Sequence, residues 1–128
     1  MASKQQVTEA AEAPRNEVVL VGRVSAAPVE RELPSGDVLL TWRVVVDRPL
    51  ESGAKRPIRE SERRTPTVDA LECVARVAGV RRTVASWSEG DVVYVEGAIR
   101  RRFWRGPGGL SSRHEIEVRT ARRLRKAA

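Results

Sequence analysis

The amino-acid sequence predicts a mainly β domain with one short helix, and three observations carry that prediction. Apolar and β-branched residues alternate with polar residues at a period of two, which is the spacing of half-buried strands. Glycine and proline clusters interrupt these runs at short intervals, as turns do. One segment, residues 79–88, has its apolar residues at helical spacing instead. The chain has 128 residues, which is enough for a single hydrophobic core.

Five segments have the strand pattern, and the helical segment falls between the third and the fourth. The predicted strands are residues 18–24, 38–46, 68–77, 91–104 and 112–124. Pro28 interrupts the first strand, and residues 29–33 continue it as a bent strand before a Pro-Ser-Gly-Asp turn at 34–37. Gly97 predicts a bulge that lets the fourth strand coil. The Gly-Pro-Gly-Gly sequence at 106–109 predicts a hairpin tip.

The element order β-β-β-α-β-β predicts the fold. Five curled strands with one helix after the third are the layout of the OB-fold, a five-stranded Greek-key barrel that commonly binds oligonucleotides. We expect residues 1–15 to be a disordered tail, residues 16–124 to form this domain, and residues 125–128 to be a short basic tail. Residues 47–67 are polar and contain three prolines, which predicts a long mobile loop.

Strand alternation and helical spacing separate core residues from surface residues. The predicted core includes Trp42, Cys73, Trp87 and Ile99. Val45 and Val74 are apolar but fall on outward faces, where they would suit contacts between barrels. Trp104 differs from the other tryptophans because its companions on the strand are Arg100 and Arg102, which a core would not accept unpaired.

Basic residues concentrate at the C-terminal end of the sequence. Residues 100–128 hold 10 basic and 2 acidic residues and carry a net charge of +8, whereas residues 1–99 carry a net charge of −1. Alternation sends Arg100, Arg102 and Trp104 to one face of their strand. Guanidinium groups attract phosphates, and an indole offers a flat surface on which an unpaired base stacks. This arrangement indicates a site for a flexible, single-stranded polyanion.

Several function classes have no support in the sequence. The chain has no apolar run of membrane-spanning length and no hydrophobic signal region, so we expect a cytoplasmic protein that does not contact membranes. One cysteine and one histidine make a zinc site within the chain improbable, and we expect no metal and no cofactor. No carboxylate pair or Cys/His arrangement converges in the pattern, so we expect a protein that is not an enzyme.

From residue 16 to 124 the sequence resembles the bacterial single-stranded DNA-binding protein family. The motifs that carry the resemblance are Asn16-x-Val18-x-Leu20-Val21-Gly22-Arg23, Trp42-Arg43-Val44-Val45-Val46, Asp69-x-x-x-Cys73-Val74-Ala75 and Glu89-Gly90-Asp91-x-Val93-Tyr94-Val95-Glu96-Gly97-x-Ile99-Arg100, followed by Trp104. The resemblance implies an OB-fold that wraps single-stranded DNA during replication, recombination and repair, as a nucleoid-associated protein. It also implies a homo-oligomer, most often a tetramer, with a dimer as the alternative.

The resemblance assigns roles to individual residues. Trp104 aligns with a base-stacking tryptophan of the family, and Thr41 and Arg43 lie on an outward face that the family also uses. The chain departs from the family at Ala70 and Arg76, where aromatic residues are usual, and it lacks the family's acidic C-terminal tail. Stacking contributes roughly 1–3 kcal/mol per base, so fewer aromatics imply a weaker and more electrostatic binder.

Seven residues form the predicted nucleic-acid-binding set. They are Trp104, Arg102, Arg100, Arg76, Arg43, Thr41 and Arg23. Glu72 shares the outward face with Arg76, where it would either orient that arginine or repel phosphate. Two other interpretations stay open: a degenerate OB module that contacts another protein through its basic face, and an RNA-binding module, because stacking and phosphate contacts do not distinguish the sugars.

Overall fold

Five strands of the chain close into a barrel, and a sixth strand extends one side of it. The computed structural model describes residues 11–49 and 67–128. Within these residues the elements are β1 (Val18–Val24), β2 (Val29–Glu32), β3 (Val38–Asp47), β4 (Val68–Ala75), α1 (Ala78–Ala85), β5 (Val92–Gly106) and β6 (Gly109–Arg125). Most of the predicted 47–67 loop and most of the predicted N-terminal tail lie outside the described residues, and Ala11 and Glu12 have helical backbone.

The sheet topology confirms the predicted OB-fold. The strands follow the order β1-β5-β6-β4-β3, and a short pairing of β1 with β3 closes the barrel. Among the described strands, one pairing is parallel: it joins β4 to β6, with Cys73 opposite Ile116. β2 pairs only with β3 and is a separate strand instead of a continuation of β1. Gly36, at φ 89°, supplies the left-handed residue of the turn between β2 and β3.

Two tryptophans anchor the core, as the alternation pattern predicts. The rings of Trp42 and Trp87 lie 5.7 Å apart, edge to face, and both side chains are buried. Val84 brings α1 onto the same cluster, and Cys73 lies within it. Burial raises the pKa of the Cys73 thiol to about 12, so this residue is a small buried apolar group and not a nucleophile.

The pairing of β5 with β6 runs far beyond the barrel. It extends from Val92 to Gly106, which pairs with Gly109 across the hairpin turn. Its register shifts between Glu96 and Gly97, but the extra residue, Arg119, lies on β6 and not at Gly97 as predicted. A Cβ at Gly97 would overlap the carbonyl group of Glu117, so glycine is needed there. β1 stops pairing with β5 at Gly97, and the remaining two-stranded segment, residues 100–106 and 109–115, is called the arm below.

Two of the predicted side-chain positions are wrong. Ile99 was expected in the core, but it is nearly half exposed because it lies where β5 leaves the barrel. Its backbone is held there by Asn16, whose side-chain amide accepts a hydrogen bond from Ile99 N and donates one to Ile99 O. Val74 was expected on a free outward face, but it is buried within the single chain and is therefore not available to another barrel.

Candidate nucleic-acid interface

The strand register combines the outward faces of β3, β4, β5 and β6 into one continuous surface. Because Trp42 points into the core, Thr41 and Arg43 on either side of it point outward. Arg43 faces Glu72 on β4, and Val74 on that strand faces Glu117 on β6. The arm continues the same face, with Arg100 opposite Glu115 and Arg102 opposite Arg113. The predicted residues of these strands therefore share one side of the molecule.

A groove lies where the arm meets the beginning of β3. Eight residues line it: Arg31, Leu33, Leu39, Thr41, Arg102, Phe103, Trp104 and Arg113. Its volume is about 280 Å³, and it is partly open to solvent. The indole of Trp104 is 46% exposed, which leaves ring surface available to a planar group. The groove thus combines an open aromatic ring with three arginines from two sides.

Arg113 supports Trp104 from the opposite strand of the arm. Its guanidinium carbon lies 5.8 Å from the centre of the indole, within the range of a cation–π interaction. Arg101 makes a similar contact with Phe103, at 4.8 Å. Each aromatic residue of the arm therefore has an arginine over its ring.

Each of the five predicted arginines faces a carboxylate. The closest nitrogen–oxygen distances are 3.1 Å for Arg23–Asp47, 2.5 Å for Arg43–Glu72, 4.0 Å for Arg76–Glu115, 3.5 Å for Arg100–Glu117 and 3.6 Å for Arg102–Glu115. The arginine side chains stay between 37% and 60% exposed in these pairs. The pairs of Arg23, Arg43 and Arg100 involve carboxylates that are at least partly exposed. Exposed ion pairs are typically worth ~0–1 kcal/mol, so phosphates of a nucleic acid compete with these three readily. Glu115, the partner of Arg76 and Arg102, is buried instead. Glu72 pairs with Arg43, whereas Arg76, the arginine that it was expected to orient, has Glu115 as its carboxylate partner.

The structure brings together some of the predicted residues and separates one. Trp104, Arg102 and Thr41 line the groove directly. Arg76 is connected to the groove indirectly, because it pairs with Glu115, which is also the partner of Arg102. Arg23 lies at the far end of β3, in a different cleft beside Val45 and Asp47.

Five groove residues were not in the predicted set: Arg31, Leu33, Leu39, Phe103 and Arg113. A signal for Arg113 was present, because counting back from the Gly106–Gly109 turn along a regular hairpin places it opposite Arg102. Arg31 and Leu33 were missed because β2 was interpreted as part of the first strand.

The described part of the chain holds no group of three or more His, Cys, Asp or Glu side chains arranged to bind a metal ion. No helix in it is long and apolar enough to cross a membrane. The single histidine, His114, is exposed on the arm.

The comparisons with known proteins agree with this geometry. The family model described as the single-strand binding protein family matches residues 15–124. Over 94 residues the chain is 32% identical to a single-stranded DNA-binding protein of Thermotoga maritima, covering 73% of this chain and 62% of that relative. The chain therefore spans about three-fifths of the relative's length.

A solved structure has the same fold. It is described as the Plasmodium falciparum SSB complex with ssDNA, and it superposes with a TM-score of 0.69 at 19% identity, over 88% of this chain and 97% of that one. The barrel topology and the family match, which spans the whole of residues 16–124, lead to one conclusion. This chain belongs to the single-strand binding protein family.

Proposed function

We propose that this protein binds single-stranded DNA without strong sequence preference, in replication, recombination or repair at the nucleoid. The observation that carries the proposal is the position of Trp104, exposed on the arm with Arg102 and Arg113 beside it in an open groove. An unpaired base can stack on the indole while the arginines contact the phosphates on either side. A duplex keeps its bases stacked on one another, so it cannot use the indole in this way.

Lack of sequence preference follows from the chemistry of the groove. Every base has a π-face, so stacking on Trp104 does not select among them. The arginines reach phosphates, which are the same in every sequence. The name of the Thermotoga relative and the description of the Plasmodium complex support DNA as the ligand.

The binding should depend strongly on salt. The family's usual aromatics are replaced by Ala70 on β4 and by Arg76 directly after it, and both residues are exposed. Cations therefore carry a larger share of the affinity, and cation–phosphate contacts weaken as salt rises because counterion release becomes less favourable.

The test is a titration with oligo-dT, followed by tryptophan fluorescence and by the anisotropy of a labelled strand. We expect saturable quenching by oligo-dT and much weaker binding to a duplex of the same length. The affinity should also fall steeply between about 50 and about 200 mM salt. Absence of binding at the lower salt, or binding that does not change with salt, would contradict the proposal. Equal affinity for oligo-U would favour an RNA ligand, and unchanged fluorescence with both would favour a protein partner for this face.

We also propose that the protein is a homo-oligomer. β1 pairs with β3 only at Arg23 and Val24, and Gly22 still lies close to Val45, so it is the edge of residues 18–21 that has no paired strand among the described residues. Val19 and Val21, on the outward face of this strand, are each about half exposed. An open edge beside apolar side chains is a suitable surface for a second copy.

Light scattering after size-exclusion chromatography tests the oligomer. A tetramer has four times the 14.2 kDa mass of the chain, and a dimer has twice that mass. Val21→Lys should shift the mass toward the monomer because a charge would then be buried at the interface. A monomeric wild-type protein at tens of micromolar would exclude this assembly.

A further inference from the structure

A buried carboxylate lies beneath the arginines of the groove. Glu115, on β6, is only 4% exposed, although it belongs to the outward face of its strand. It has three ion-pair partners among the described residues: Arg102 at 3.6 Å, Arg76 at 4.0 Å and Arg113 at 4.0 Å. These three arginines come from β5, from the segment after β4, and from β6.

The register explains why a carboxylate is needed at this point. Arg102 and Arg113 are directly opposite each other on the arm, and like charges in that position repel. Glu115 lies two residues from Arg113 on the same face, so its carboxylate attracts both guanidinium groups. In return, the arginines compensate a charge whose burial would otherwise be costly.

The depths of the four side chains determine what a ligand meets first. The arginines are 37–46% exposed, whereas the carboxylate is almost covered. A phosphate therefore approaches guanidinium groups and not Glu115. The cluster has three positive charges and one negative charge, so it keeps a net charge of +2 at the surface of the face.

The cluster also connects to the aromatic ring. Arg113, which contacts Glu115, places its guanidinium over the indole of Trp104. Arg102 contacts the same carboxylate and lines the same groove. One buried carboxylate thus touches the arginines on which the geometry of the proposed stacking site depends.

We propose that Glu115 is a positioning residue for single-stranded DNA binding, which orders Arg76, Arg102 and Arg113 into a preformed phosphate-binding cluster beside Trp104. The inference rests on the proposed function. Glu115 acts through the arginines and does not touch the DNA itself. Without its charge the guanidinium groups repel one another and lose their common orientation, so ordering them again on binding costs affinity.

Glu115→Gln separates this role from simple electrostatics because the two predict opposite signs. The variant raises the net charge by one, so electrostatics alone would tighten binding to oligo-dT. Positioning predicts that binding becomes about five- to tenfold weaker, since the attraction that holds the three guanidinium groups in a common orientation is lost. It also predicts that the slope of log K against log salt becomes shallower, by the amount that corresponds to the loss of about one phosphate contact.

Glu89→Gln is the matched control. It changes the net charge by the same amount, and Glu89 is exposed in the turn before β5 with no ion-pair partner among residues 11–49 and 67–128. Glu115→Asp keeps the charge and should restore part of the lost affinity. Thermal unfolding of each variant establishes the folded fraction at the temperature of the titration, and affinities are compared at equal folded fraction.

The outcomes separate the two proposals. Weaker binding by Glu115→Gln than by Glu89→Gln, with partial recovery in Glu115→Asp, supports the positioning role. Binding by Glu115→Gln that equals or exceeds that of Glu89→Gln overturns this role while the proposed function stands. Failure of the wild-type protein to bind oligo-dT overturns both.

Discussion

Arg43 donates a hydrogen bond from Nε to Oε1 of Glu72, at 2.5 Å, across the pairing of β3 with β4. The two residues are direct cross-strand partners on the outward face, and the arginine is 60% exposed. Glu72 has this one arginine as its ion-pair partner among the described residues, so the pair is electrically neutral. It differs in that respect from the cluster around Glu115, which keeps a surplus of positive charge.

Glu72→Gln is therefore expected to strengthen DNA binding. The substitution releases the guanidinium of Arg43 without removing a side chain that packs in the core. Exposed ion pairs are worth roughly 0.2–1 kcal/mol, so the affinity for oligo-dT should rise about 1.5- to 5-fold at low salt. The slope of log K against log salt should steepen by about 0.7, which is the value for one additional phosphate on a single strand.

The double variant Arg43→Ala/Glu72→Gln provides the control for this prediction. It lacks the released cation, so its affinity should not exceed that of the wild-type protein. A gain that persists in the double variant would show that the charge of Glu72 acts on the whole face and not through Arg43.

Trp104→Ala should remove the stacking contact. A base that stacks on an aromatic side chain contributes roughly 1–3 kcal/mol, so the affinity for oligo-dT should fall about 5- to 150-fold. The fluorescence quenching should disappear too, because Trp42 and Trp87 are buried away from the groove. Trp104→Phe keeps a smaller ring and should retain part of the affinity. Quenching of equal amplitude in Trp104→Ala would mean that a different tryptophan reports the binding.

The three tryptophans illustrate how much of the site the sequence predicts. Alternation along β3 places Trp42 inside, helical spacing places Trp87 inside, and the arginines beside Trp104 place it outside; burial agrees in each case. These are local patterns, because each is established by the spacing of a few neighbouring residues along one strand or one helix. The barrel follows from the same patterns because the order of elements restricts the topology.

The cluster around Glu115 could not be predicted in this way. Arg76 and Arg102 are 26 positions apart in the sequence, and they share Glu115 because β6 pairs with both β4 and β5. Ile99 fails for a related reason: its alternation is regular, but the barrel ends where β1 stops pairing. A pattern within one strand shows neither which strands pair with it nor where that pairing ends. The cluster depends on the first of these, and the exposure of Ile99 depends on the second.

Trp87→Ala should destabilise the barrel without affecting the groove directly. Removing a buried aromatic side chain typically costs about 3–5 kcal/mol, and here it also removes the edge-to-face contact with Trp42. Urea unfolding followed by circular dichroism measures the change. Phe103→Ala is a suitable comparison, since that ring is more than half exposed on the arm and its loss should change stability by less than about 1 kcal/mol. Equal losses in the two variants would contradict the assignment of Trp87 to the core.

Asp91 makes the stability of the fold sensitive to acid. This buried carboxylate accepts hydrogen bonds from the backbone N–H groups of Ser88, at 2.9 Å, and Ala127, at 2.8 Å, and Arg123 lies 3.7 Å away. These contacts, the Ser88 hydrogen bond foremost, hold the pKa of Asp91 below its ordinary value. The charged form therefore stabilises the folded state above about pH 4, the value for an unfolded aspartate, and this contribution disappears as the pH falls through the lower folded pKa.

Asp91→Asn tests that origin. The wild-type protein should be more stable than the variant at pH 7, and the difference should stay constant down to about pH 5. Below about pH 4 the difference should shrink, because the wild-type carboxyl then takes up a proton and loses the same interactions. Urea unfolding of both proteins between pH 7 and pH 3 follows the difference, and Asp37→Asn, in the exposed turn before β3, corrects for the general loss of a negative charge. A difference that is equal at pH 7 and pH 3 would mean that Asp91 stabilises the turn by shape and hydrogen bonding alone, with no contribution from its charge.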